Sequence, residues 1–126
     1  IKCTDENDEH YSELRKMEEQ LKSFRTPEGH PYRLIPLPMA KAYWFDSERL
    51  PATYANFLIL NNAILYPTYN QPENDIKAAC VLQEAFPKYK IIGIDCQALI
   101  KQHGSLHCVT MQYPEKVIKH DKPCQK

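Results

Sequence analysis

The stretch Ala55-Asn56-Phe57-Leu58-Ile59-Leu60-Asn61-Asn62-Ala63-Ile64-Leu65-Tyr66 holds two apolar runs separated by an Asn-Asn pair. Asparagine tolerates the left-handed conformation that a two-residue hairpin demands, so the pattern predicts two antiparallel strands turning at Asn61-Asn62. Both runs are apolar on both faces, which predicts a sheet covered on its two sides. Downstream, Pro72 to Phe86 reads as a helix. Pro72 suits its first turn, and Glu73 and Asp75 complement the positive end of its dipole. Ile76, Ala79, Cys80, Gln83 and Phe86 share its expected buried stripe, with Cys80 as a small core residue. Pro87 ends the helix, and Tyr89 to Asp95 reads as a strand. A helical turn, Gln97 to His103, is expected to close on Gly104 as a left-handed cap, followed by a last strand, Ser105 to Tyr113. Strand, strand, helix, strand over 55–95 predicts an α/β layered fold with right-handed crossovers.

Upstream, Tyr11, Leu14, Met17, Leu21 and Phe24 recur at steps of three and four between charged residues. They predict an amphipathic helix with one buried stripe, capped by Asn7 or Asp8. Thr26 to Pro31 reads as a turn. Tyr32 to Pro38 reads as an extended segment confined to an edge, because Pro36 and Pro38 remove ladder donors. Residues 39–53 lack a clear period and read as a long loop carrying Tyr43-Trp44-Phe45. That cluster either lines a pocket, with Trp44 as a candidate substrate contact, or plugs the loop onto the core. Residues 115–126 are polar and lysine-rich and read as a loose tail after a domain at 1–114.

The chain has 126 residues, with sixteen Lys plus Arg balancing sixteen Asp plus Glu. Zero net charge offers no general pull toward nucleic acid or an anionic membrane, and neither is expected as a partner. No apolar run approaches the roughly 20 residues of a membrane helix. The odd count of five cysteines, Cys3, Cys80, Cys96, Cys108 and Cys124, forbids full pairing within one chain and predicts reduced thiols in a cytoplasmic setting. The first residue is Ile1 rather than Met, so an upstream remainder of the same polypeptide is expected.

Chemistry concentrates in Gln102-His103-Gly104-Ser105-Leu106-His107-Cys108-Val109-Thr110-Met111-Gln112. Here a cysteine follows a glycine turn near a strand end, the kind of place where α/β folds put reactive groups. Composition alone favours a buried core cysteine instead. A zinc reading also competes: His103 and His107 are four apart, as are His120 and Cys124, with Cys108 beside His107. A strand over 105–113 would point His107 and Cys108 to opposite faces, which argues against a shared ion; no metal and no cofactor is expected.

Gly104 to Gln112 resembles the carboxy-terminal end of the agmatine deiminase and bacterial peptidylarginine deiminase family. So do Tyr54 to Asn62, Asp5-Glu6-Asn7-Asp8, Leu82 to Pro87 and Ile92 to Asp95, in the same order. The resemblance implies a pentein fold, an α/β propeller of five strand–strand–helix–strand blades, of which this chain supplies roughly two. It implies a cysteine nucleophile at Cys108 that attacks a guanidinium carbon, with ammonia leaving and water releasing a ureido product. Agmatine is the implied substrate, with free or peptide arginine as alternatives; putrescine synthesis follows from the family. Asn56 matches a position that contacts substrate or orients the site in relatives, or else bonds only to nearby backbone, and Gly104 is implied at the substrate pocket. His107 precedes the nucleophile, and its side chain is expected to point away. Relatives carry a His-x-Asp or His-x-Glu pair, which this sequence lacks, so those groups are expected upstream. Many also carry three glycines where this chain has Gln102-His103-Gly104. A non-catalytic remnant or interaction module with the same fold is the alternative. Association into a homo-oligomer is left open.

Overall fold

The computed structural model describes residues 1–114 and Val117; the expected tail, with His120 and Cys124, otherwise lies outside them. Three strands, β1 (Leu58–Ile59), β2 (Ala63–Thr68) and β3 (Lys90–Asp95), form a sheet in that order. β1 and β2 are antiparallel, with Leu58 opposite Leu65 and Ile59 opposite Ile64. The Leu60 N–H donates to the Ala63 carbonyl at 2.8 Å, so the connection is Asn61-Asn62 as expected. β2 and β3 are parallel from Ala63↔Lys90 to Thr68↔Asp95, which requires a crossover. The helix Pro72–Ala85, here αB, supplies it with Pro72 in its first turn. The strand–strand–helix–strand order over 55–95 is therefore observed.

Four local readings need correction. Neither Asn61 nor Asn62 is left-handed; the left-handed pair is Asp46-Ser47 (φ 49° and 64°). It joins two three-residue strands, Tyr43–Phe45 and Glu48–Leu50, inside the segment expected to be loop. Strands that short display no period, and Asp and Ser carry the mirror turn at modest steric cost.

The second correction concerns αB. Its buried positions are Asp75, Ala78 and Leu82, while Ile76 is 63% exposed and Cys80 is exposed. The stripe is rotated by about one residue because Asp75, read as a complement to the helix dipole, points inward. Its carboxylate accepts the Tyr54 hydroxyl at 2.7 Å and the backbone N–H groups of Tyr69 at 3.2 Å and Gln71 at 2.9 Å. Three donors offset the cost of burying a carboxylate.

Third, the amino-terminal helix αA (Tyr11–Ser23) is present, but none of its residues is buried among the described residues. Met17 on its apolar stripe is exposed, as is Phe24, which is expected to extend the stripe and instead lies just past the helix end in extended conformation. The Asp8 carboxylate takes the His10 N–H at 2.9 Å and pairs with Arg49 at 2.7 Å, tying αA to the hairpin. The Arg49 bond holds Asp8 down to about 2. A depressed carboxylate pKa contributes stability at neutral pH that is lost as acid carries the pH from about 4 toward 2.

Fourth, Ser105–Tyr113 is not a strand. Residues His107–Val109 form a 3₁₀ turn, and the left-handed residue before it is His103 (φ 61°) rather than Gly104. The Asn56 side-chain oxygen takes the His107 N–H at 2.6 Å and the Cys108 N–H at 3.4 Å, and the Thr110 N–H returns to the His107 carbonyl at 3.0 Å. Groups so engaged cannot serve a ladder. The segment reaches the sheet edge through a side chain instead: Gln112 Nε2 donates to the Ile59 carbonyl at 2.8 Å.

The core joins Leu37, Ala40, Leu50, Tyr54, Ile64, Tyr66, Ala78, Leu82, Cys96, Ile100 and Leu106, so the hairpin, the sheet, αB and the Cys108 region share one apolar centre. At Gly93 a Cβ would lie 3.0 Å from Thr68 Cγ2 and 3.1 Å from the Tyr66 hydroxyl oxygen. Gly93→Val is expected to lower the urea midpoint of the full-length protein, at a cost of about 1–3 kcal/mol for overpacking. An unchanged midpoint would show that the Tyr66 ring moves aside freely.

Candidate active site

Cys108 and Asn56, 52 positions apart in the chain, meet in the structure. Asn56 Nδ2 donates to Cys108 Sγ at 3.1 Å, while its oxygen holds the two backbone N–H groups of the cysteine's own turn. The same amide therefore shapes the turn and addresses the sulfur. Cys108 is exposed. The backbone of Ser105, and then the Asn56 amide, hold its thiol below the ordinary cysteine range. Donors aimed at sulfur favour thiolate, the nucleophilic form. Cys96, by contrast, is buried, and burial pushes its thiol up. Cys80 and the half-buried Cys3 are also free thiols.

Gly104 sits directly against the nucleophile candidate. A Cβ there would lie 3.2 Å from Cys108 Cβ and 3.9 Å from Sγ, so a side chain would crowd the approach to sulfur. His103, at the centre of the expected departure from three glycines, carries the left-handed φ that glycine accepts without cost. Its Nε2 lies 3.7 Å from Glu48 Oε2 on the hairpin. Trp44 is in a strand of that hairpin, opposite Arg49, and 59% exposed, so it does not plug the core. The hairpin lies beside the segment leading to Cys108: Lys101 Nζ stands 4.5 Å from the Phe45 ring centroid, and Gln97 Nε2 donates to the Tyr43 hydroxyl at 3.2 Å. His107 is exposed and contributes its backbone to the turn. The geometric objection to a shared ion at His107 and Cys108 lapses with the strand. Among the described residues, however, no three His, Cys, Asp or Glu side chains are grouped so as to hold a metal, and no helix is long and apolar enough to cross a membrane.

Sequence reasoning missed Tyr69, Thr53 and Ser105. The Tyr69 hydroxyl is bonded to both the Thr53 backbone and the Ser105 hydroxyl, linking the approach to Asn56 with the approach to Cys108. No periodicity signals such a bond, since its partners belong to separate segments.

Removing the Asn56 donor is expected to raise the Cys108 thiol, because thiolate loses a stabilising bond while the thiol loses little. In the full-length protein Asn56→Ala should shift the pH profile of Cys108 alkylation by iodoacetamide upward and slow the neutral-pH reaction roughly three- to tenfold. An unmoved profile would remove Asn56 from the chemistry of the sulfur.

Residues 1–114 match the family of Porphyromonas-type peptidyl-arginine deiminases. The chain belongs to this family. Among solved structures it resembles the "Putative Arginine Deiminase from Porphyromonas gingivalis", at 59% identity and a TM-score of 0.88, over 90% of this chain and 33% of that one. C. jejuni agmatine deiminase matches at 45% identity and a TM-score of 0.75, over 85% of this chain and 32% of that one. The same C. jejuni enzyme with a cysteine replaced by serine, solved with substrate bound, matches at 44% identity and a TM-score of 0.74, over 84% of this chain and 30% of that one. A Marinomonas protein named "Putative agmatine deiminase" is 34% identical over 90% of this chain and 35% of its own length. The chain thus spans about a third of the length of each of these relatives. It takes the α/β fold of the deiminase structures over that third.

Proposed function

We propose that this chain is the carboxy-terminal portion of a hydrolase that deiminates a guanidino group, with Cys108 as nucleophile. The observation that carries the reading is the donation from Asn56 Nδ2 to the exposed Cys108 Sγ at 3.1 Å, by the same amide whose oxygen holds the cysteine's own turn, an arrangement that favours thiolate. The Cys-to-Ser variant of the C. jejuni relative, solved with substrate bound, supports it.

In the proposed reaction the sulfur attacks the guanidinium carbon. The tetrahedral adduct expels ammonia, leaving an S-alkylthiouronium. Water adds to the same carbon and the C–S bond breaks, giving the ureido product and the free thiol. The balance is one guanidinium and one water in, one urea and one ammonium out. Nothing is oxidised or reduced, and no cofactor is needed. A histidine must move protons and carboxylates must hold the cation. Residues 1–114 are read as about two of five blades, followed by a polar tail, with those groups supplied by the upstream remainder. Asn56 and Gly104 border the reacting sulfur, and Trp44, exposed on the hairpin, is read as a substrate contact. The setting is read as cytoplasmic.

Agmatine is the favoured substrate, giving N-carbamoylputrescine; peptide arginine, giving citrulline, is the competitor. The test is ureido-product formation by the full-length protein with agmatine, free arginine and an arginine peptide, each supplied alone. Turnover fastest with agmatine supports the reading. Turnover of the peptide alone moves the assignment to protein deimination, and turnover of none refutes it.

A further inference from the structure

We propose that Tyr69 is a positioning residue for the Cys108 nucleophile: its hydroxyl holds the Thr53–Asn56 turn and the Ser105–Cys108 turn in the register at which the Asn56 amide faces the sulfur. This rests on the reading of Cys108 given above. Tyr69 follows β2 and is 1% exposed. Its hydroxyl lies 3.1 Å from the Thr53 nitrogen, 3.0 Å from the Thr53 carbonyl oxygen and 2.8 Å from Ser105 Oγ. One phenolic proton decides the directions. The Thr53 N–H can only donate and the Thr53 carbonyl can only accept, so Tyr69 donates to that carbonyl. Ser105 must then donate its own proton to Tyr69.

Each arm of this junction leads to the sulfur. From Thr53 the chain makes a tight turn: the Ala55 N–H donates to Thr53 Oγ1 at 3.2 Å and the Asn56 N–H to the Thr53 carbonyl at 3.3 Å, delivering the amide that contacts Sγ. From Ser105, 2% exposed, the chain runs through Leu106 into the turn at His107 and Cys108 whose N–H groups the Asn56 oxygen holds. The two segments are 52 positions apart in sequence and are otherwise joined here through Asn56 alone, whose grip on the turn depends on where Thr53 is held. Tyr69 is itself anchored, since its N–H donates to the buried Asp75 carboxylate at 3.2 Å. The junction is buried, so loss of the phenol oxygen leaves polar groups without an adequate replacement and lets the two segments separate.

The experiment uses the full-length protein with Tyr69→Phe, Ser105→Ala, the double variant, and Tyr54→Phe as a control for loss of a buried hydroxyl that bonds Asp75 instead. Four quantities are read: the pH profile of Cys108 alkylation by iodoacetamide, mapped by peptide mass; the melting midpoint; and kcat and KM on whichever guanidino substrate is turned over. Tyr69→Phe and Ser105→Ala are each expected to move the alkylation profile upward and to slow the neutral-pH reaction roughly tenfold. They should lower kcat more than they raise KM, and the double variant should be little worse than the worse single. Tyr54→Phe should lower the melting midpoint and leave the profile in place. The proposal is overturned if folded Tyr69→Phe and Ser105→Ala keep the wild-type profile, if their effects multiply, or if Tyr54→Phe shifts the profile equally. Should Tyr69→Phe fail to fold, Ser105→Ala decides by the same criterion. Absence of guanidino turnover in the wild type would refute the functional reading while leaving the alkylation profiles, and so this inference, decidable.

Discussion

Cys108→Ala in the full-length protein is expected to lower deimination by about four to six orders of magnitude. Alanine supplies no nucleophile, so the thiouronium intermediate cannot form, and the upstream groups are left with the direct attack of water on a resonance-stabilised guanidinium. Substrate binding should persist, because the sulfur is asked to react with the cation rather than to hold it. A haloacetamidine reagent gives the complementary reading on the wild type. Its amidine mimics the substrate cation, and mass mapping after limited reaction should place the label on Cys108. The exposed Cys80 is the internal control: accessibility by itself would favour it equally. A label on Cys80 or Cys3 with Cys108 free, or a Cys108→Ala variant that keeps its rate, would overturn the assignment.

The 126-residue chain alone is expected to show no measurable deimination of agmatine. General acid–base help is worth on the order of a hundredfold to ten-thousandfold, and loss of the carboxylates that clamp the cation removes most of the binding as well. The sequence contains no His-x-Asp or His-x-Glu spacing, and His107, beside the nucleophile candidate, spends its backbone on the Asn56 bond. Apolar side chains on αA, αB and β1 are exposed, including Met17, Ile76 and Ile59, so the isolated chain should also associate in solution. Ureido-product formation by purified chain, measured against its Cys108→Ala variant, checks this. Turnover that the substitution abolishes would mean that the proton shuttle and clamp lie within these residues.

The chain's own pattern was enough for the elements whose signals are local. Pro72 and the run to Phe86 marked αB, Asn61-Asn62 marked the turn, and the isoleucines of β3 marked a strand beside it. Cys108 was singled out instead by the resemblance of its segment to the deiminase family, since composition alone favoured a core cysteine. Three things depended on tertiary structure. The orientation of αB turned on Asp75, whose burial is favourable only because Tyr54, Tyr69 and Gln71 converge on it from elsewhere. The shape of the Cys108 segment turned on Asn56: residues 105–113 read as a strand after the glycine, but a side-chain oxygen from across the fold captured backbone donors there and bent the chain into a turn. The surroundings of the sulfur turned on Tyr69 and Ser105, joined by one hydroxyl. Local sequence determines propensity and period, since both arise within a few residues. Which polar group is buried, and which donors meet at a sulfur, depends on partners far away in the chain, and only the folded arrangement brings them together.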